Sequence, residues 1–159
     1  MRLGEKADGK KGLKMIFWKE NVIVTCVLSW FIAQALKVII TLIKDKKLDF
    51  RRLIGSGGFP SSHAALVTSL STAVGIIEGI NSTAFAICVV VALVVMYDAS
   101  GVRRAAGQQA RILNKIVAEW GNSDLAEKDK RLKELLGHTP KEVFAGAVLG
   151  IIIGLIRHL

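Results

Sequence analysis

The longest hydrophobic run, Asn21 to Ile43 (NVIVTCVLSWFIAQALKVIITLI), reaches the length of about 20 residues that crosses a bilayer, with Trp18 and Trp30 placed as interface anchors. Its single charge, Lys37, either snorkels to the headgroups or faces the protein interior. A basic loop from Lys44 to Pro60 leads into residues 61–80, a weakly hydrophobic segment rich in Ala, Ser, Thr and Val that needs neighbouring helices to shield it. Residues 82–97 are more apolar, and the turn Glu78-Gly79-Ile80-Asn81 makes the two segments an antiparallel pair. The last span covers residues 140–158. Thr139 stands at its N-cap, Pro140 at the first helical position and Glu142 where a capping box takes its acid. Gly146, Gly150 and Gly154 recur every fourth residue, a stripe that admits a second helix closely, within the monomer or across a homodimer.

Between the third and last spans lies a long connector, residues 98–139. Apolar positions from Val102 to Trp120 keep a helical period interrupted at Gln109, which suits an amphipathic helix lying at the interface. Asp124 to Leu136 reads as a charged helix with a sparse apolar side, and both stretches equally fit plain solvated connectors. The expected fold is therefore all-α: a polytopic membrane bundle of about four transmembrane helices with interfacial amphipathic helices. A basic tail, residues 1–20, precedes one membrane domain, residues 21–159.

Composition agrees, since 52% of the 159 residues are hydrophobic and only 6% aromatic, with a mean hydropathy of +0.45. The formal charge of +9 points to anionic headgroups or phosphorylated substrates. Nucleic acid is not expected as a partner, because the basic residues flank apolar stretches and lack interleaved aromatic side chains. Cys26 and Cys88 each sit inside an apolar run and read as packing groups, and no metal-ligand spacing is present.

Four spans bring the loop 44–60 and the connector to one face of the membrane and both tails to the other. Thirteen Lys and Arg lie in those two segments against seven in the tails, so the positive-inside rule favours a cytoplasmic polar face, with the dense N-terminal tail pulling the other way.

Three segments on the polar face carry candidate chemistry. Gly57-Gly58-Phe59-Pro60-Ser61-Ser62-His63 is a glycine pair followed by a helix start, where unpaired amides and the dipole favour phosphate. An imidazole at membrane depth, His63, is costly to keep without a role. Tyr97-Asp98-Ala99-Ser100-Gly101-Val102-Arg103-Arg104 sets an acid before paired guanidinium forks that match phosphate oxygens, or else forms a surface ion pair. His138 precedes Glu142 by four residues, a spacing that lets a carboxylate hold one ring nitrogen; the same Glu142 also completes a capping box with Thr139.

Taken together, GGFPSSHAA at 57–65, YDASGVRRAAGQQA at 97–110 and LKELLGHTPKEVFAGAVLG at 132–150 resemble the divergent short branch of the phosphatidic acid phosphatase type 2 and vanadium haloperoxidase superfamily. The resemblance runs from about Gln34 to Gly154. It implies metal-independent phosphoryl transfer through a phosphohistidine, with no cofactor. His138 would be the nucleophile, Glu142 its orienting acid and His63 the general acid. Lys37, Lys44, Ser61, Ser62, Arg103 and Arg104 would bind the phosphate, supported by Asp98, Gly57 and Gly58. The chain departs from the superfamily pattern in lacking an Arg-Pro pair seven residues after a Lys, and a Ser-Arg shortly before the nucleophile. It also has about four expected spans where the membrane phosphatases of the superfamily usually have six.

The expected function is that of a phosphatase acting on a lipid phosphate in a bacterial cell membrane. The alternative is a non-catalytic protein that binds or carries an anionic lipid in the same pocket. Vanadate-dependent halide oxidation fits a small membrane-embedded chain poorly.

Overall fold

A computed structural model describes residues 21–45, 57–119, 132 and 137–159. Among these residues there are five helices and no strands: α1 (Val22–Asp45), α2 (Ser62–Ile77), α3 (Thr83–Ser100), α4 (Val102–Glu119) and α5 (Pro140–His158). The expected charged helix at 124–136, apart from Leu132, and the tail with Trp18 lie outside the described residues.

Each boundary has a local cause. Ser61 caps α2 by accepting from the Ala64 amide, and Ser82 caps α3 by accepting from the Phe85 amide. Gly79, at φ +87°, takes the left-handed turn that stops α2 at Ile77, three residues short of the expected end. α3 instead runs past residue 97 to Ser100, because Asp98 and Ser100 do not break a helix and Gly101 does. The expected capping box is present: the Thr139 hydroxyl accepts from the Glu142 amide, and the Glu142 carboxylate accepts from the Thr139 amide.

α2 is the central helix, packed against α1, α3 and α5. Most of its small and polar side chains, Ser62, Ala64, Ala65, Thr68, Ser69 and Ala73, are buried, as a weakly hydrophobic segment in a bilayer requires. Thr68 donates to the carbonyls of Ala64 and Ala147, and Ser29 on α1 donates to the carbonyl of Ala65. The bonds to Ala147 and from Ser29 tie α2 to its two neighbours. On α1 the interior stripe is Thr25, Ser29, Ala33, Lys37 and Thr41, spaced by fours and all buried.

α5 runs parallel to α2, and the glycine stripe is the contact. A Cβ on Gly146 would collide with the Ser61 carbonyl, one on Gly150 with Thr68 and the Ala65 carbonyl, and one on Gly154 with Thr72. The close-approach surface is thus used within the monomer. A homodimer through Gly146, Gly150 and Gly154 would need a face that α2 already occupies.

At the opposite end from the α2 N-terminus, Thr25 meets His158 at 2.8 Å and accepts from Arg157 at 3.1 Å. The outward surface is apolar, with Ile23, Phe31, Ile43, Val94, Phe144 and Ile156 all strongly exposed. Such a surface belongs in lipid rather than water. α1 and the run beginning at Thr83 are each long and apolar enough to cross a bilayer, and the chain is a helical membrane protein.

Candidate functional site

His63 and His138, 75 residues apart in sequence, converge at one end of the bundle. His63 stands in the first turn of α2 and His138 two residues before α5; their ring centroids are 6.1 Å apart, edge to face. Parallel packing of α2 and α5 causes this meeting, since both helices begin at the same membrane face. The Ser61 amide donates to the Glu142 carbonyl at 2.9 Å and ties the two helix starts together. A third element fixes His138: its backbone amide donates to the Ala99 carbonyl at the end of α3, at 3.0 Å.

His63, Val95, Asp98, Ala99, Arg103 and His138 line a small recess at this point. Arg103 is held by Asp98 through an Nε to Oδ2 bond of 2.6 Å, with both side chains about half exposed, so its remaining N–H groups stay available to an anion. Lys37 lies inside the bundle, only 2% exposed, which decides for the interior over snorkelling. Its stem runs along Gly58, where a Cβ would press on Cγ and Cδ at 3.2 and 3.1 Å. Gly58 is also at φ +95°, so glycine is required there on both counts. Ser61 and Ser62 are buried at the α2 start.

His138 is 3% exposed, and its Nε2 is buried without a hydrogen-bond partner among the described residues. A buried unsatisfied nitrogen is unfavourable by about 1–3 kcal/mol, so the position is one that a ligand improves. Burial, and then the charges of Lys37, His63 and Arg103, push this imidazole from its ordinary 6.5 down to about 4. It is a neutral ring at physiological pH. In the unfolded chain it would protonate near 6.5, so the folded state loses stability as pH falls from 6.5 towards 4 and is indifferent above that window. An NMR titration of the imidazole in micelles is expected to give a midpoint well below 6.5; a midpoint at or above it contradicts this environment.

Three expected site residues stand differently. The Glu142 carboxylate bonds the Thr139 amide at 2.8 Å in the capping box, so it positions His138 through the start of α5 in place of gripping the ring. Arg104 follows Arg103 by 100° around α4; its backbone packs on Gly137 and its side chain is exposed, outside the recess lining. Lys44 falls in the last turn of α1, and its side chain lies outside the described residues. Two lining residues, Val95 and Ala99, were not expected. They share the inward face of α3 with Asp98 at helical spacing, whereas the Ala99 carbonyl contact leaves no mark in sequence.

Beside the recess, α3 and α5 leave an apolar cleft of about 680 Å³, lined by Leu93, Val94, Tyr97, Val143, Phe144 and Ala147 among others. Its lining reaches Ser100 and Pro140, next to Ala99 and two residues from His138.

The profile of the Divergent PAP2 family matches residues 18–153. The chain is also similar to the uncharacterized membrane protein YuiD of Bacillus subtilis (strain 168), with 44% identity over 134 residues, covering 78% of this chain and 85% of that protein. No solved structure matches it.

Proposed function

The chain belongs to the divergent PAP2 family, and from that premise we propose that it is a metal-independent phosphatase of lipid phosphates working through a phosphohistidine. The observation that carries the reading is the meeting of His63 and His138 at 6.1 Å beside a recess lined by Arg103. Neutral His138 attacks phosphorus through Nε2, the bond from phosphorus to the lipid oxygen breaks, and His63 gives that oxygen its proton. Water then attacks phosphorus while His63 takes a proton from it, the bond from phosphorus to Nε2 of His138 breaks with its electron pair returning to the ring, and inorganic phosphate leaves. Arg103 and buried Lys37 offset the charge on the transferring group, and the side-by-side N-termini of α2 and α5 add their dipoles. The cleft between α3 and α5 falls within the range of about 300–1,000 Å³ typical of ligand pockets, and suits the hydrocarbon chain of the substrate.

One observation favours a second reading, that of a binder or carrier of anionic lipid. The Glu142 carboxylate serves the helix cap, and among the described residues no carboxylate is hydrogen-bonded to the His138 ring. Vanadate resembles the phosphoryl transition state and separates the two. Hydrolysis of a short-chain phosphatidate or polyprenyl phosphate in the presence of a chelator, blocked by vanadate, is the expected result for purified protein. Lipid phosphate binding with neither turnover nor vanadate sensitivity would establish the carrier.

A further inference from the structure

α4 divides into three sectors when its residues are set at 100° intervals. One faces the protein: Gly107 and Ala110 are buried, and Asn114 exchanges two hydrogen bonds with the Leu132 backbone at 2.9 and 3.0 Å. A second is cationic, with Arg104, Arg111 and Lys115 within about 40° of one another and all exposed. The third is aliphatic and open: Val102 is 59%, Ile112 60%, Leu113 48% and Ile116 38% exposed, with Gln109 interrupting the row.

The position of the helix says what covers that third sector. α4 begins one residue after α3, so its first turn stands where a span leaves the hydrocarbon. Four of its residues are basic and one, Glu119, is acidic. An aliphatic edge flanked by cations, starting at the bilayer surface, matches the boundary between acyl chains and anionic headgroups. We propose that α4 is a binding site for anionic phospholipid. Val102, Ile112, Leu113 and Ile116 enter the acyl region, and Arg104, Arg111 and Lys115 hold lipid phosphates. The site enriches anionic lipid around the helix whose first turn carries Arg103 to the histidine recess.

The test reads depth and lipid preference in the full chain, after Cys26 and Cys88 are replaced by serine and nitroxide labels are placed singly at positions 108, 112 and 116. In phosphatidylglycerol-containing vesicles, the labels at 112 and 116 should collide with oxygen in preference to an aqueous nickel chelate, and the label at 108 should do the reverse. Spin-labelled phosphatidylglycerol should be retained over phosphatidylcholine by about twofold or more, and Arg111→Gln with Lys115→Gln should bring that ratio to one. Labels at 112 and 116 reached freely by nickel would overturn the proposal, as would labels reached by neither reagent, which would mean a protein partner covers the edge. An unchanged lipid ratio in the double variant would overturn the anionic part. None of these readouts requires turnover, so they stand or fall apart from the phosphatase reading.

Discussion

His138→Ala is expected to lower phosphatidate turnover by about 10⁴-fold or more, and His63→Ala by about 10²–10⁴-fold, in protein that still folds. The difference follows from the two roles. Without His138 there is no nucleophile, and the remaining cations can only hold the substrate. Without His63 the nucleophile persists, but the lipid oxygen must leave unprotonated. A phosphate ester with a good leaving group, such as p-nitrophenyl phosphate, removes that handicap in the first step alone. On it His63→Ala should therefore accumulate the phosphohistidine, since water attack still lacks its base; labelled phosphate bound to protein through an acid-labile bond is the signature. His138→Ala should show no such label with any ester. Turnover at the wild-type rate in either variant removes that histidine from the mechanism.

Gly150→Val is expected to prevent folding, and Gly150→Ala to destabilise by about 1–3 kcal/mol, read from thermal unfolding in detergent. A Cβ at this position meets the Thr68 hydroxyl and the Ala65 carbonyl. Neither can retreat freely, because Thr68 also donates to Ala64 and Ala147, and the Ala65 carbonyl accepts from Ser29. The strain must therefore separate α2 from α5. The same separation widens the gap between His63 and His138, so Gly150→Ala should lose turnover as well as stability. Unchanged unfolding and unchanged turnover would mean that the two helices are not in contact along this stripe.

What the sequence made legible was set by periodicity and by the even number of spans. Spans of the right length at 21–43 and 140–158, with the turn at Glu78 to Asn81 between the middle two, were enough to bring His63 and His138 to one face. Capping chemistry was equally readable, because Thr139, Pro140 and Glu142 act on their immediate neighbours. Contacts that depend on a partner helix were not. The period of Gly146, Gly150 and Gly154 marks a face but not its occupant, and α2 fills it through tertiary packing that no local spacing encodes. Lys37 sat near enough to its helix end to snorkel, and it is turned inward by its place on the buried stripe of α1 and by the close approach of Gly58 to its stem. Glu142 satisfied two spacing rules at once, and the capping amide prevailed because it lies within the same turn. Arg103 and Arg104 are adjacent in sequence, yet the turn between successive helical residues sends one to the recess and the other outward.

Besides α4, whose first turn carries Arg103, two described helices begin at the histidine end, α2 and α5, and two spanning helices, α1 and α3, finish there. Summed along the membrane normal, their macrodipoles nearly cancel. The membrane voltage therefore does little net work on the helical frame. The cancellation is not local, because the two that begin together are also packed side by side. A fixed positive potential persists at that corner although the helix dipoles of the bundle nearly offset one another. An anion reaching the histidines therefore meets a positive corner built by the side-by-side packing of two helix starts, whatever the helices sum to across the membrane.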